Sequence, residues 1–210
     1  MDGIVSLYFV SSALIIYNLN KLNFKFDYQF FYLIFFLIIL SLLKFEGTIL
    51  LFCLTISSIF TFSKNKIFCK KIITIFLISI IPVLFWILFC IYFNIGNTVE
   101  NYKFNINDFY NRVFQIQNYF VIFKYLILND KFLPCLLIYL LTMFYIKDKN
   151  IFIFVNLISM IYIFFLFFVY LSTPLDLEWH LNSANRVIKP IALFLSIFTL
   201  HSIYNRFDKK

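Results

Sequence analysis

Residues 72–93 of the chain, IITIFLISIIPVLFWILFCIYF, contain no charged side chain. A helix that crosses a membrane needs about 20 apolar residues, because it rises about 1.5 Å per residue through about 30 Å of hydrocarbon. This segment has that length. Pro82 interrupts one backbone hydrogen bond, which neighbouring helices can compensate inside a bundle. The segment therefore predicts a transmembrane helix with a kink at Pro82.

Six further apolar segments lie on both sides of this one. They are 3–20, 28–43, 47–63, 132–146, 151–171 and 190–204. Segment 151–171 is as clear as 72–93, whereas 28–43, 132–146 and 190–204 are short and need flanking residues to cross a bilayer. The sequence predicts an all-α, polytopic transmembrane bundle of about seven spans, folded as a single membrane-embedded domain over residues 1–210.

Composition supports a membrane protein and excludes several other classes. The chain is 63% hydrophobic and only 13% charged, whereas soluble proteins carry about 25% charged residues. So few charges cannot cover a globular surface, which excludes a soluble domain, a disordered chain and a disulfide-rich scaffold. The net charge of +8 does not indicate nucleic-acid binding, because the basic residues lie at the ends of apolar runs.

The distribution of charge between the spans predicts their orientation, because cytoplasmic loops carry an excess of Lys and Arg. With the N-terminus outside and the C-terminus cytoplasmic, the inner segments carry a charge of +8 and the outer segments zero. The opposite orientation would place the lysine-rich segment 64–71 outside, against this rule. The sequence therefore predicts that the long segment 94–131 lies on the outer face.

Segment 94–131 contains an amphipathic pattern. Polar side chains recur at helical spacing at Asn107, Asp108, Asn111, Arg112, Gln115 and Asn118, with Phe109, Tyr110, Val113, Phe114 and Ile116 between them. This pattern predicts a helix in the membrane interface. The helix is either a lid packed on the bundle or a wall of a lipid-facing substrate groove, and the sequence favours neither.

Cysteine and glycine usage argues against metal and nucleotide sites. No two cysteines have a metal-binding spacing, and the three glycines cannot build a phosphate-binding loop. A disulfide between Cys90 and Cys135 is conceivable, but free thiols are the expected state. The sequence predicts no cofactor and no protein metal site, and it leaves dependence on a divalent metal open.

Chemistry-bearing side chains concentrate in residues 172–186, STPLDLEWHLNSANR. Thr173 as N-cap and Pro174 as first helical residue predict the start of a helix. On that helix Asp176 and His180 share one face, four residues apart. A second stripe is formed by Glu178, Asn182 and Arg186.

Each of these residues also has a simpler interpretation. Asp176 can serve only to cap the helix, and Trp179 is an expected interfacial anchor. Glu178 and Arg186 can form a solvated ion pair of little energetic value. His180 with one nearby carboxylate is a weak metal site, although it can accept a proton.

Residues 173–181, TPLDLEWHL, resemble the TP-x-DLEWHL signature of bacterial multi-pass glycosyltransferases with the GT-C fold, in the protein-mannosyltransferase-like group. Two segments match more loosely. Residues 44–47, KFEG, are similar to a K-N-E-G turn between two spans, and residues 2–9, DGIVSLYF, resemble an AD-x-P-L-A-F-Y-F span opening. Asn185 stands where this family often has Asp, and Leu175 where His is common.

The resemblance implies a transferase in the bacterial inner membrane that moves a sugar from a polyprenyl-phosphate donor to a lipid, glycan or protein acceptor on the outer face. The expected catalytic residues are Asp2, Glu46, Asp176 and His180, and the expected substrate-binding residues are Lys44, Glu178 and Arg186. Met1 and Asp2 align with an internal family position, so we expect the chain to be the C-terminal portion of a longer transferase and to be inactive alone.

Two other functional classes remain open at the level of sequence. A transporter or lipid flippase would place ionisable groups within its spans, whereas the predicted spans here contain none in their interiors. A non-catalytic membrane subunit would use the same apolar segments for packing alone. Sugar transfer distinguishes the first expectation from both alternatives.

Overall fold

A computed structural model describes residues 2–21, 28–93, 95, 106–144, 146, 148–172 and 176–207. All regular structure in these ranges is helical. The helices are α1 (Asp2–Lys21), α2 (Tyr28–Leu43), α3 (Phe45–Thr61), α4 (Lys66–Tyr92), α5 (Ile106–Val113), α6 (Ile116–Leu126), α7 (Phe132–Met143), α8 (Lys149–Ser172), α9 (Leu177–Leu181), α10 (Ala184–Val187) and α11 (Lys189–Phe207). The predicted all-α fold is confirmed for the described residues.

Each predicted apolar segment lies on a helix, but not all of these helices are long enough to cross a bilayer. In the described ranges, four helical segments have the required length and hydropathy: Asp2–Lys21, Lys66–Tyr92, Lys149–Ser172 and Leu177–Tyr204. Three further apolar helices, α2, α3 and α7, are shorter. These helices are compatible with a membrane protein, and the predicted count of about seven spans is not confirmed.

The core of the bundle forms around α1, which packs against α2, α3 and α11, while α8 packs on α3 and α7 on α11. Large apolar side chains fill it, as where the ring centroids of Phe9 and Phe194 lie 5.2 Å apart. Several buried hydroxyls bond to their own helix; Ser12 Oγ, for example, donates to the Tyr8 carbonyl at 2.7 Å. Such a bond satisfies the hydroxyl donor and allows the side chain to lie in apolar surroundings.

The turn between α2 and α3 depends on a glycine. A Cβ atom on Gly47 would lie 1.9 Å from the carbonyl oxygen of Leu40, so only glycine fits this close approach of the two helices. The Gly47 amide donates to the Lys44 carbonyl at 2.9 Å, and Thr48 Oγ1 donates to the Ser41 carbonyl at 3.1 Å. The turn therefore holds Lys44 and Glu46 in fixed places between the two helices.

Contacts among aromatic and polar side chains define one end of the bundle, here called the Tyr17 end. Phe62, after α3, packs against Phe68 of α4 and Phe154 of α8, with centroids 5.1 and 5.7 Å away. Tyr17 of α1 donates its hydroxyl hydrogen to Asp148 Oδ2 at 2.7 Å. The end of α1, the α3–α4 connection and the start of α8 therefore lie together.

The amphipathic pattern of segment 94–131 forms two helices instead of the single helix predicted. The helix breaks between Val113 and Ile116, where Asn118 Nδ2 donates to the Arg112 carbonyl at 3.1 Å and to Gln115 Oε1 at 3.2 Å. Residues 96–105 lie outside the described ranges, as do the side chains of residues 107 and 108.

The apolar face of α5 packs on the bundle. The ring of Phe109 lies 5.6 Å from that of Phe168 on α8, and α6 also contacts α8. This packing agrees with the lid alternative of the sequence analysis.

The second half of α4 projects from the bundle. Five consecutive side chains, from Leu84 to Leu88, are 47–68% exposed. Five consecutive residues cover every face of a helix, since one turn takes 3.6 residues. This half of α4 is therefore surrounded by very little of the described protein, and its apolar surface is suited to a lipid environment.

Candidate functional site

A cavity of about 210 Å³ lies at the end of the bundle opposite the Tyr17 end, and is here called the polar cavity. It is lined by Asp2, Val5, Lys44, Glu46, Ser183, Arg186, Val187 and Pro190. Four of these, namely Asp2, Lys44, Glu46 and Arg186, are among the candidate residues of the sequence analysis. The helices bring them together although they come from the start of α1, the α2–α3 turn and α10.

An ion pair between Lys44 and Asp2 closes one side of the polar cavity. Asp2 lies in the first turn of α1. Lys44 has an extended backbone between α2 and α3, with φ −161° and ψ 161°. The side chains are 28% and 20% exposed, so both charges are partly shielded from solvent. The pair joins α1 to the α2–α3 turn and leaves this wall of the cavity close to neutral.

Glu46 and Arg186 supply two further charges to the polar cavity. In the described part of the chain neither forms an ion pair. Glu46, half-buried in the first turn of α3, interacts electrostatically with Tyr162, Tyr170 and His180. Arg186 is exposed on α10. The cavity therefore offers a carboxylate and a guanidinium that form no ion pair within the described residues.

Lys189 adds positive charge beside this site. It is half-buried at the start of α11 and acts electrostatically on Asp2. With Lys44 and Arg186 it gives three cations against the two carboxylates Asp2 and Glu46. The surroundings of the polar cavity therefore have a small excess of positive charge, which favours an anionic ligand.

Two buried tyrosines of α8 hold the segment that carries Arg186. The Tyr162 hydroxyl donates to the Val187 carbonyl at 2.6 Å, and the Tyr170 hydroxyl lies 3.0 Å from Ser183 Oγ. Val187 and Ser183 both line the polar cavity. These tyrosines were not among the residues predicted from the sequence, although two tyrosines eight residues apart lie on one helix face and are a usable signal.

Asn185 has a structural partner. Its Oδ1 accepts a hydrogen bond from Asn129 Nδ2 at 2.6 Å, and Asn129 is buried before α7. A neutral amide here makes this bond without bringing another carboxylate next to Arg186. The side chain of Asn185 therefore joins α10 to the α6–α7 connection.

The other three candidate residues do not line the polar cavity. Asp176 is the N-cap of α9, and its Oδ2 accepts from the Trp179 amide at 3.0 Å, so the capping interpretation describes its contact. Glu178 is exposed. His180 is half-buried, with its ring 4.9 Å from that of Tyr170.

The helix predicted from Pro174 onwards differs in the structure. Residues 173–175 lie outside the described ranges, and the described helix begins at Leu177 after the Asp176 cap. The prediction of a continuous helix is wrong, because α9 ends at Leu181 and α10 begins at Ala184. Glu178 therefore lies on α9, Asn182 is the C-cap of α9, and Arg186 lies on α10; of these three residues, Arg186 lines the cavity.

Metal ligands do not cluster in the described residues. No group of three His, Cys, Asp or Glu side chains there has the geometry to hold a metal ion. The cysteines are free thiols; Cys53 is buried, and Cys69, Cys90 and Cys135 are half-buried. The charged groups that line the polar cavity are the carboxylates of Asp2 and Glu46, the ammonium of Lys44 and the guanidinium of Arg186.

An apolar groove runs between the end of α2 and the second half of α4. Its volume is about 760 Å³, and it is lined by Leu42, Pro82, Phe85, Trp86, Leu88, Phe89, Tyr92 and Phe93. Leu42 precedes Lys44 by two residues, so the groove begins near one wall of the polar cavity. An amphiphile with a charged head and an apolar tail matches these two surfaces.

Comparison of the chain with protein-family models, with curated proteins and with solved structures gives no match.

The side chains of the polar cavity define what it can do chemically. Guanidinium and ammonium groups bind phosphate through charge-assisted hydrogen bonds. A carboxylate without a cationic partner can accept a proton from a hydroxyl group.

Proposed function

We propose that the chain is the membrane-embedded part of a glycosyltransferase that uses a polyprenyl-phosphate-linked sugar. The observation that carries this proposal is the convergence of Asp2, Lys44, Glu46 and Arg186 on one cavity at an end of an apolar bundle. Transfer from such a donor needs cations for the departing phosphate and a carboxylate for the acceptor. The cavity supplies both, and the resemblance of residues 173–181 to GT-C enzymes agrees with this chemistry.

The reaction assigns a role to each charge. The acceptor hydroxyl oxygen bonds to the anomeric carbon of the sugar, while the bond from that carbon to the phosphate oxygen breaks. The phosphate leaves with the electron pair, and Arg186 and Lys44 stabilise its charge. Glu46 accepts the hydroxyl proton because it has no cationic partner in the described residues. Asp2 holds Lys44 in place.

The remaining candidates have supporting roles in this proposal. Asp176 fixes the start of α9 as its N-cap. His180 stacks edge-on against Tyr170, and Tyr170 contacts Ser183 on the wall of the cavity. Glu178, which is exposed, contacts the acceptor outside the cavity. We assign the apolar groove beside Leu42 to the polyprenyl chain of the donor.

We also propose that the polar cavity faces the outer side of a bacterial inner membrane. In the described ranges the Tyr17 end carries Lys21, Lys64, Lys66, Lys70, Lys71 and Lys149 against the single acid Asp148. The opposite end has a mixture of acids and bases. This asymmetry supports a cytoplasmic Tyr17 end because positive charge is retained inside.

Cysteine labelling in intact cells tests the orientation. In a cysteine-free background, single cysteines at Asp130 and Asn182 are expected to react with a membrane-impermeant maleimide. Cysteines at Lys64 and Asn150 are expected to react only after the membrane is permeabilised. All four native side chains are exposed, so burial within the protein does not account for a difference in labelling. Labelling at Lys64 in intact cells would reverse the proposed topology.

Reconstitution of the purified chain tests the function. We expect proteoliposomes containing the chain to bind polyprenyl phosphate. Transfer of labelled sugar from a polyprenyl-phosphate donor to an added acceptor would establish that this chain alone carries the activity. Polyprenol, which has the chain without the phosphate, is the matched control and should compete poorly. Movement of the donor across the bilayer without transfer would favour a flippase. Absence of binding would favour a non-catalytic subunit.

A further inference from the structure

The α3–α4 connection and the first turns of α4 carry a cluster of lysines, here called the lysine corner: Lys64, Lys66, Lys70 and Lys71. Asn65 fixes the start of α4, because its Oδ1 accepts from the Phe68 amide at 3.0 Å. Lys66 and Lys70 then lie one turn apart on one face of α4, where Cβ atoms are about 5–6 Å apart. Their ammonium groups can both reach a single phosphate.

Three lysines of the lysine corner are accessible to a ligand. Lys64, Lys66 and Lys70 are exposed, and none of them forms an ion pair within the described residues. Asp148, an acid at the same end, accepts from Tyr17 and from the amide of Asn150. Its hydrogen-bonding capacity is therefore directed into the bundle and towards the start of α8.

Apolar side chains continue the same face of α4 away from the lysines. Ile73 and Leu77 follow Lys66 and Lys70 along one helical stripe, and they are 43% and 55% exposed. The buried residues Phe68, Ile72 and Ile75 face the bundle instead. Cationic groups therefore lie at one end of an exposed apolar stripe, and this arrangement complements the anionic head and the apolar chain of a phospholipid.

We propose that the lysine corner binds an anionic phospholipid, with the phosphate between Lys66 and Lys70 and an acyl chain along Ile73 and Leu77. A soluble phosphate would gain the charge interaction alone, whereas a phospholipid also covers the apolar stripe. Basic segments at the end of a membrane helix attract anionic lipids by about 1 kcal/mol per lysine, or about fivefold in affinity. This site is independent of the glycosyltransferase proposal.

Native mass spectrometry of the detergent-purified chain tests this site by titration with phosphatidylglycerol and, separately, with phosphatidylcholine. We expect the wild-type chain to prefer phosphatidylglycerol. The K66Q/K70Q variant should bind it about 5- to 25-fold more weakly, at about fivefold per lysine. The K66R/K70R variant should retain the preference, because arginine keeps the charge.

A matched pair of substitutions controls for net charge. Lys124 and Lys131 are exposed at the opposite end of the bundle, and K124Q/K131Q removes the same charge while leaving the lysine corner intact. This variant should bind like the wild type. Equal weakening in both glutamine variants would overturn the proposal, as would unchanged binding in K66Q/K70Q. Displacement of phosphatidylglycerol by excess inorganic phosphate would also overturn it, by showing that the acyl chain adds nothing.

Discussion

Replacement of Gly47 by alanine is expected to destabilise the chain by about 3 kcal/mol or more, because overpacking against fixed backbone is among the costlier single changes. The added Cβ would lie 1.9 Å from the Leu40 carbonyl oxygen and 2.9 Å from its carbon. No side-chain rotation relieves this contact, so α2 and α3 must separate. For a chain of this size the melting temperature should fall by about 6–12 °C, which thermal unfolding of the purified protein in detergent measures.

Gly3 provides the matched control for this prediction. It lies in the first turns of α1, and a Cβ built there meets no atom within 4 Å. Alanine at position 3 should leave the melting temperature unchanged or raise it slightly, because alanine has the higher helix propensity. Equal melting temperatures for the two variants would show that the α2–α3 approach is looser than described.

Replacement of Arg186 by alanine is expected to weaken binding of polyprenyl phosphate by about 10- to 100-fold, since a hydrogen bond to a charged group contributes about 1.5–3 kcal/mol. Arg186 lines the polar cavity and has no ion pair among the described residues, so its charge is available to a ligand. Lysine at this position should recover part of the affinity, because it keeps the charge but loses the two-pronged geometry of the guanidinium.

Lys124→Ala controls for the loss of one exposed positive charge that does not line the cavity. It should change the affinity for polyprenyl phosphate little, and circular dichroism should show the same helix content in all three variants. Unaltered binding by Arg186→Ala would exclude this residue from phosphate recognition. It would leave Lys44 and Lys189 as the cations to examine.

The helices could be predicted from local properties of the sequence. Segment 28–43 is apolar at nearly every position, and the structure gives a helix over the same residues. The number of spans could not be predicted with the same certainty. Segment 132–146 yields only the helix Phe132–Met143, because helix length depends on local capping and packing as well as on apolar composition.

Part of the polar cavity also follows from simple sequence reasoning. Asp2, Lys44, Glu46 and Arg186 all lie at or near helix ends on the same predicted side of the membrane, and antiparallel packing brings such ends together. The contacts of Tyr162 and Tyr170 depend on how α8 packs against a segment more than ten residues away. The distance from Gly47 to Leu40 depends on how closely two helices approach. Neither the tyrosine contacts nor this helix–helix distance can be predicted from a local sequence pattern.

Asp176 shows why residue type and spacing alone do not determine a side chain's contacts. The spacing of Asp176 and His180 indicates one helix face, but this inference holds only when the helix begins before Asp176. The described helix begins at Leu177, with Asp176 as its cap. A carboxylate whose oxygen is bonded to a backbone amide has a structural role that the same sequence pattern would also produce.

The unequal lengths of the apolar helices have a consequence for the surrounding bilayer. The 27 residues of α4 extend about 40 Å, and the 12 residues of α7 extend about 18 Å, at about 1.5 Å per residue. The uncharged part of α4, residues 72–92, extends about 32 Å and matches a hydrocarbon layer of about 30 Å, whereas α7 is shorter than this layer. In the membrane that we propose, lipids beside α7 would have to compress, since each ångström of mismatch costs a fraction of a kcal/mol. The bilayer would therefore be thinner beside α7 than beside α4, and short-chain lipids would collect on the α7 side.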